Sequence, residues 1–145
     1  MYQQQDKEME NANFLYKIKE LEAAAKKLFL EYSIIEGDRA SRFIQMTLNK
    51  FKVSKITGHL SIDSEVSKKI STDEHEFTFS KEYLSDAVYV FFEQDHYNKN
   101  QIFILKEGTL FSQLIQECYG MEYFITDEKN SFLISVNWYI IEIVR

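Results

Sequence analysis

The most constraining feature of the chain is a series of strand and helix patterns in its C-terminal part, joined by short polar connections. Two runs rich in β-branched and aromatic residues, at 88–92 and 102–105, flank a polar stretch and predict a β-hairpin. A helical pattern follows at 109–119, and residues 122–144 read as three more strands. Such short connections require antiparallel neighbours, because a parallel return needs a crossover of about a dozen residues or more. The segment therefore predicts an antiparallel sheet in ββαβββ order, with one helix on a face.

The first part of the chain carries two amphipathic helical patterns. Apolar residues recur at three- and four-residue intervals over residues 6–32 and again over residues 40–51. We expect the two helices to form an antiparallel pair that packs on or beside the sheet, because their apolar stripes need a partner. The predicted fold class is α+β. The length suits a single domain at 1–145, with a helical part at 1–52 and a sheet part at 53–145.

The segment between these two regions, residues 53–86, shows no continuous pattern. Residues 56–62 alternate like a strand, and so do Phe77 and Phe79. Residues 63–76 are polar and read as a surface loop or a short helix. Neither proline-rich nor glycine- and serine-rich stretches mark a domain boundary.

Cysteine usage and hydropathy indicate a cytoplasmic protein. The single cysteine, Cys118, falls on the apolar stripe of the predicted helix at 109–119, where a buried thiol is inert. One cysteine fits a reducing compartment and rules out a disulfide framework. The sequence shows no signal-peptide pattern and no apolar run long enough to cross a bilayer, so we expect no contact with a membrane.

The net charge of −6 is unevenly distributed along the chain. Residues 1–60 hold 10 basic and 8 acidic side chains, whereas residues 61–145 hold 7 basic and 15 acidic ones. An acidic surface repels phosphate backbones and speeds the encounter with a basic partner. Nucleic acid is therefore not an expected partner, and a basic protein is. The simpler alternative is that the acidic surface serves solubility.

Cofactor and metal sites are not expected. The four glycines are too scattered to form a phosphate-binding loop or a dinucleotide motif. His59, His75 and His96 lack the paired spacing that brings two ligands to one metal. Residues 73–76, Asp-Glu-His-Glu, come closest to a metal cluster, but neighbouring residues of an extended chain point to opposite faces. A solvated polar segment explains them better.

Aromatic and acidic residues in the second half of the chain predict a protein interface. Trp138 and several tyrosines accompany the acidic excess, and such residues beside exposed carboxylates are typical of binding surfaces. We predict a partner-binding surface whose carboxylates steer association. Its residues are Asp73, Glu74, Glu76, Glu93 and Asp95. For any single aromatic residue, packing within the sheet is the simpler role.

A catalytic role for the first hairpin turn is the alternative. Glu93, Asp95 and His96 could act as acid and base there. A polar turn is the simpler interpretation, because nothing in the flanking sequence suggests a pocket. Cys118 lacks a neighbouring base and orienting group, so it is not a candidate nucleophile. We therefore expect no catalytic residue and no enzymatic activity.

The order of elements from residue 89 onward resembles a class of small bacterial immunity proteins. It consists of an aromatic strand ending at Phe92-Glu93, a strand at 102–105, a helix ending at 117–119, and strands beginning at 122 and 132. Immunity proteins of this class accompany contact-dependent inhibition systems and other polymorphic toxins. The resemblance covers about the last 60 residues and lies in the order of elements, so it transfers no site residue.

The resemblance implies a cytosolic immunity protein. Such a protein would bind and neutralise a cognate toxin domain, for example a nuclease with a basic active-site cleft, and we expect it to be a monomer. The alternatives are a small enzyme that uses the turn at Glu93, Asp95 and His96, and a structural or regulatory adaptor that pairs through its long first helix.

Overall fold

A computed structural model describes residues 15–53 and 55–145, and its central element is one seven-stranded sheet. The strands are β1 (Tyr32–Glu36), β2 (Lys68–Ser71), β3 (Val88–Phe91), β4 (Gln101–Leu105), β5 (Tyr123–Thr126), β6 (Leu133–Val136) and β7 (Ile140–Val144). The helices are α1 (Lys17–Lys27), α2 (Gly37–Lys50), α3 (Thr72–His75), α4 (Phe79–Tyr83) and α5 (Phe111–Gln116). The strand order is β1-β4-β3-β5-β6-β7-β2, and every neighbouring pair is antiparallel. The predicted α+β class and the ββαβββ order of the C-terminal part are confirmed.

The two longer helices cover opposite faces of the sheet. Successive sheet residues alternate between two cores, so Val90 packs with α1 whereas Phe91 packs with α2. Helices α4 and α5 lie on the α1 side. The expectation of an antiparallel helix pair is therefore wrong. Each helix buries its apolar stripe against the sheet and not against the other helix.

Strand β1 explains why the helices separate. Its five residues lie between α1 and α2 and pair with β4, in a register that joins Tyr32 to Leu105 and Glu36 to Gln101. The chain thus crosses an edge of the sheet before α2 begins. The region predicted to be helical, residues 1–52, consequently also contributes this edge strand. Tyr32, which the helical pattern included, is a strand residue stacked on Phe103 at a ring-centroid distance of 5.2 Å.

Helix α1 is shorter than the predicted helix over residues 6–32. Residues 1–14 lie outside the described part of the chain, and the helix ends at Lys27. Its buried apolar residues are Ile18, Leu21, Ala24 and Ala25. They pack in the core beneath the sheet, so this part of the helix offers no free apolar stripe for the pairing that an adaptor would need. Within the described residues, no helix combines the length and apolar character that a membrane span requires.

The segment over residues 53–86 is irregular, with short elements. Residues 56–62 form no strand, so the strand that their alternating pattern predicts is absent, and an isolated bridge joins Lys55 to Ser61. Phe79 begins helix α4, so the strand expected there is also absent. The polar stretch at 63–76 ends in strand β2 and the single-turn helix α3.

A carboxylate from the last strand holds this irregular loop. Glu142 of β7 is only 2 % exposed and points into the loop. Its Oε1 accepts hydrogen bonds from the backbone N–H groups of Ile62 and Asp63, both at 3.0 Å. Its Oε2 accepts from the Ser64 N–H at 2.9 Å and from the Ser67 hydroxyl at 2.6 Å. A chain segment without its own regular hydrogen bonding is thus ordered by one buried anion.

The helix predicted at 109–119 begins with a 3₁₀ turn, Gly108–Leu110, and continues as α5. Cys118 lies just beyond the end of α5, is half-buried and packs against the α1-side core. Its thiol donates to the Leu114 carbonyl oxygen at 3.5 Å. Burial raises the pKa of Cys118 to about 12, and the carboxylates of Glu20 and Glu117 add to the effect.

The Cys118 thiol should therefore resist alkylation in the folded protein. A pKa near 12, against an ordinary 9.0, lowers the thiolate fraction at neutral pH by about a thousandfold. We expect iodoacetamide to modify the native protein at least about a hundredfold more slowly than the protein unfolded in urea. Mass spectrometry of quenched time points measures both rates. Similar rates in the two states would show that the thiol is exposed and ordinary.

Candidate functional site

Several connections of the sheet meet at one end of it. The antiparallel register places the residues after β3 beside the start of β5, the β6–β7 turn and the end of β2. We call this region the sheet-end surface. It comprises Asp73, Glu74, Glu93, Asp95, Tyr97, Tyr119, Glu122, Trp138 and Tyr139. The surface joins residues that are up to 66 positions apart in the chain.

Exposed aromatic rings occupy the middle of the sheet-end surface. Trp138 is 49 % exposed and Tyr139 is 68 % exposed, and both lie in the β6–β7 turn. The indole of Trp138 rests on Gly120, where an added Cβ would come within 2.5 Å of the ring. Tyr119, in the same connection as Gly120, is also exposed. Large aromatic rings that a turn keeps exposed to solvent are typical anchor residues of protein interfaces.

Glu122 fixes the backbone around these rings. Its Oε2 lies 2.7 Å from Nδ1 of His59 and accepts the Trp138 N–H at 3.3 Å. Its Oε1 accepts the Leu60 N–H at 3.0 Å. The carboxylate therefore ties the loop at 58–60 to both the β5 strand and the β6–β7 turn. His59 also contacts the Tyr139 ring edge-on, at 5.4 Å between ring centroids.

A cavity of about 310 Å³ opens beside these groups. Glu93, Asp95 and Glu122 line it together with Lys17, His59 and Trp138. A histidine held by a carboxylate can accept a proton, which is a common arrangement in catalysis. Among the described residues that line this cavity there is no serine, threonine or cysteine, so none of them offers the histidine a hydroxyl or thiol to activate. The arrangement offers charged groups and hydrogen-bonding groups to a partner.

The first hairpin turn has a structural role. Asp95 Oδ1 accepts hydrogen bonds from the Tyr97 N–H at 3.0 Å and from the Asn98 N–H at 2.9 Å, so its carboxylate shapes the turn. Glu93 accepts the Gly58 N–H at 3.2 Å across the cavity. His96 is exposed and contacts the Tyr97 ring edge-on. Glu93 and Asp95 thus share the cavity, but His96 is not among its lining residues.

The second acidic group lies at the other side of the same surface. Asp73 and Glu74 are exposed in α3. Glu76 is half-buried and accepts a hydrogen bond from the hydroxyl of Tyr123 at 3.3 Å. Burial raises the pKa of Glu76. The hydrogen bond from the Tyr123 hydroxyl lowers this pKa, and the negative charge of Asp73 raises it. Glu76 therefore accepts a hydrogen bond from the buried Tyr123 side chain and also contributes to the surface charge.

The structure brings all five predicted carboxylates to one end of the sheet, in two groups. Strands β3 and β2, which lead to the two groups, are separated by β5, β7 and β6. Four strand spacings of about 4.8 Å place the groups about 19 Å apart. Trp138 and Tyr139 follow β6, between these strands. The predicted residues therefore flank an aromatic centre, and their role in binding a partner stays a prediction.

Sequence reasoning missed Glu122, which belongs to this surface, and His59, which contacts it. They are 63 residues apart and meet only because the loop at 55–67 folds back onto the end of the sheet. One signal was available, since Glu122 is a charged residue directly before an apolar strand. A charged residue at this position indicates the end of a strand, but the sequence does not indicate which distant residue it contacts.

Comparison of the chain with protein-family models, with curated proteins and with solved structures gave no match. Among the described residues, no group of three or more His, Cys, Asp or Glu side chains is arranged to hold a metal ion. The geometry of the sheet-end surface is therefore the basis for a functional proposal.

Proposed function

We propose that the protein is a cytosolic immunity protein that acts as a monomer, binding a basic toxin domain through the sheet-end surface and blocking it. The observation that carries the proposal is the exposure of Trp138 and Tyr139 between two groups of carboxylates. The resemblance of the C-terminal elements to immunity proteins agrees with this interpretation. A toxin that acts on nucleic acid has a basic cleft, which an acidic surface of this kind would complement.

The two components of the surface have different roles in this proposal. Exposed carboxylates such as Asp73 and Glu74 attract a basic partner over distances near the Debye length, about 8 Å at physiological ionic strength. They raise the rate of association more than they slow dissociation. Trp138 and Tyr139 contribute buried area once the partner has docked, which slows dissociation. Charge changes and ring changes should therefore affect different rate constants.

The first test is to capture the partner and reverse the exposed charges. Immobilised protein should retain a toxin-like protein from a lysate of the bacterium that encodes it. The variant Asp73→Lys/Glu74→Lys should then associate about tenfold more slowly at low salt, and the difference should vanish at high salt. Surface plasmon resonance over a salt series measures the rates. Glu93→Lys tests the group at the first hairpin turn, whereas Asp95 is avoided because its carboxylate shapes that turn.

The matched control carries the same charge change at the opposite end of the sheet. Glu107 and Glu128 are both exposed there, so Glu107→Lys/Glu128→Lys alters net charge equally without touching the sheet-end surface. Its association rate should stay closer to that of the wild type. Equal slowing in both variants would show a general charge effect and remove this surface from the proposal. Capture of no toxin-like protein would remove the immunity function.

A further inference from the structure

A second cavity lies on the α2 face of the sheet, away from the sheet-end surface. Helix α2 crosses the sheet diagonally, from the end of β1 to the β5–β6 turn, where Thr47 donates to Asn130 Oδ1 at 2.7 Å. The helix leaves part of the sheet beside it uncovered. Ile35 and Tyr89 form the floor of the resulting cleft, which measures about 300 Å³. We call it the α2 cleft.

The walls of the α2 cleft combine apolar and cationic side chains. Phe43 and Met46 of α2 supply the apolar wall, and the Phe43 ring lies 5.0 Å from that of Tyr89 between centroids. Met46 is 63 % exposed although it borders an apolar cavity. Arg39 and Arg42, three residues apart on α2, lie on the same side of the helix and line the same cleft.

Neither arginine is neutralised within the described part of the chain. No carboxylate oxygen of residues 15–53 or 55–145 lies within 4.0 Å of either guanidinium group, although the chain has a net charge of −6. Within those residues, the Arg42 Nε–H donates only to the Asp38 carbonyl oxygen, at 3.4 Å. Two adjacent unpaired cations over an apolar floor form a site that is complementary to an anion with an apolar body.

We propose that the α2 cleft binds a small amphipathic carboxylate, such as a medium-chain fatty acid. The carboxylate would take hydrogen bonds from Arg39 and Arg42, since a guanidinium group matches a carboxylate in geometry. The apolar chain would lie over Ile35, Phe43 and Tyr89. A volume of about 300 Å³ is at the lower end of ligand cavities, which favours a small ligand. The inference does not depend on the proposed partner binding.

The charges around the cleft determine the orientation of the bound ligand. Arg39 lies in the first turn of α2, whereas Glu128 belongs to the β5–β6 turn that meets the last turn of the helix. Tyr89 lies between them. Burial raises the pKa of Tyr89. The negative charge of Glu128 raises it as well, and the positive charge of Arg39 lowers it. Glu128 would repel a carboxylate, so the ligand's anionic group belongs at the arginine end and its tail toward Met46.

Titration with three eight-carbon probes tests the site. We expect octanoate to bind at least about tenfold more tightly than octylammonium, and octanol to fall between them. Isothermal titration calorimetry up to about 10 mM ligand covers the expected weak affinity. Backbone NMR signals of Ile35, Phe43 and Tyr89 should shift on addition of octanoate. No binding in this range, equal binding of octylammonium, or shifts confined to other residues would overturn the proposal.

Two double variants distinguish the contribution of Arg39 and Arg42 to octanoate binding from the effect of net charge. Arg39→Gln/Arg42→Gln should weaken octanoate binding by about tenfold or more, because both charge-assisted contacts are lost. Lys26→Gln/Arg145→Gln removes the same charge at exposed positions outside the cleft and should leave the affinity unchanged. All four side chains are exposed, so the variants should fold, which circular dichroism verifies. An equal loss of affinity in both double variants would show a nonspecific charge effect and overturn the site.

Discussion

Replacement of Glu142 by glutamine should lower the free energy of unfolding by about 3 kcal/mol. The carboxylate, itself only 2 % exposed, accepts hydrogen bonds from the N–H groups of Ile62, Asp63 and Ser64 and from the Ser67 hydroxyl. Glutamine retains one acceptor oxygen, and its amide group would face donors. Hydrogen bonds to a charged group contribute about 1.5–3 kcal/mol each, and buried donors left unpaired add to the loss. Urea denaturation monitored by Trp138 fluorescence measures the change.

The same replacement should alter how stability depends on pH. Burial raises the pKa of Glu142, but the hydrogen bonds from Ser67, Ser64, Asp63 and Ile62 outweigh burial, so the net pKa lies below its ordinary value of 4.5. A carboxylate with a lowered pKa in the folded state stabilises the protein above the ordinary value. That contribution is lost as the pH falls through the folded pKa. The stability difference between wild type and Glu142→Gln should therefore shrink below about pH 4.5.

Glu65 provides the matched control for Glu142. It is an exposed carboxylate of the same loop, so Glu65→Gln makes the same chemical change without a buried network. Its effect on the free energy of unfolding should stay within about 0.5 kcal/mol. If the two variants lost similar stability, or if Glu142→Gln kept the wild-type acid sensitivity, the loop would not depend on this carboxylate.

Local sequence signals identified the C-terminal sheet because its strands are joined by short connections. The β3–β4 and β5–β6 pairings follow from apolar runs on either side of a polar stretch. Strand β1 gave no such signal, because its partner β4 comes more than 60 residues later. The sequence pattern therefore includes Tyr32 in the first helix and predicts no strand between the two helices, and the expected antiparallel helix pair is wrong.

The sequence indicates the acidic and aromatic residues of the sheet-end surface, but not how the fold brings them together. The acidic excess of the second half of the chain includes Asp73, Glu74 and Glu93, and Asp95 belongs to a polar turn that its carboxylate shapes. Long-range contacts determine the rest. The loop at 55–67 depends on Glu142, about 80 positions later, and this loop carries His59 to the site. A single sequence contains no periodicity that encodes such contacts.

Trp138→Ala should weaken binding of the captured partner by about thirtyfold or more, if the proposed function is correct. Truncation of a central tryptophan at an interface commonly costs about 2 kcal/mol or more, and about 1.4 kcal/mol corresponds to tenfold. The loss of folding stability should be smaller, about 1 kcal/mol, because the indole is half exposed. Dissociation rates from surface plasmon resonance and urea denaturation measure the two effects separately.

Two further variants test whether partner binding depends on where the Trp138 ring lies. Gly120→Ala keeps Trp138 but places a Cβ 2.5 Å from the indole, so the ring must move, and the partner should dissociate faster. Phe29 is 94 % exposed and lies beside Leu105, at the other end of the sheet. Phe29→Ala should leave the affinity unchanged. A wild-type dissociation rate for Trp138→Ala would mean that the aromatic centre of the sheet-end surface does not contact the partner.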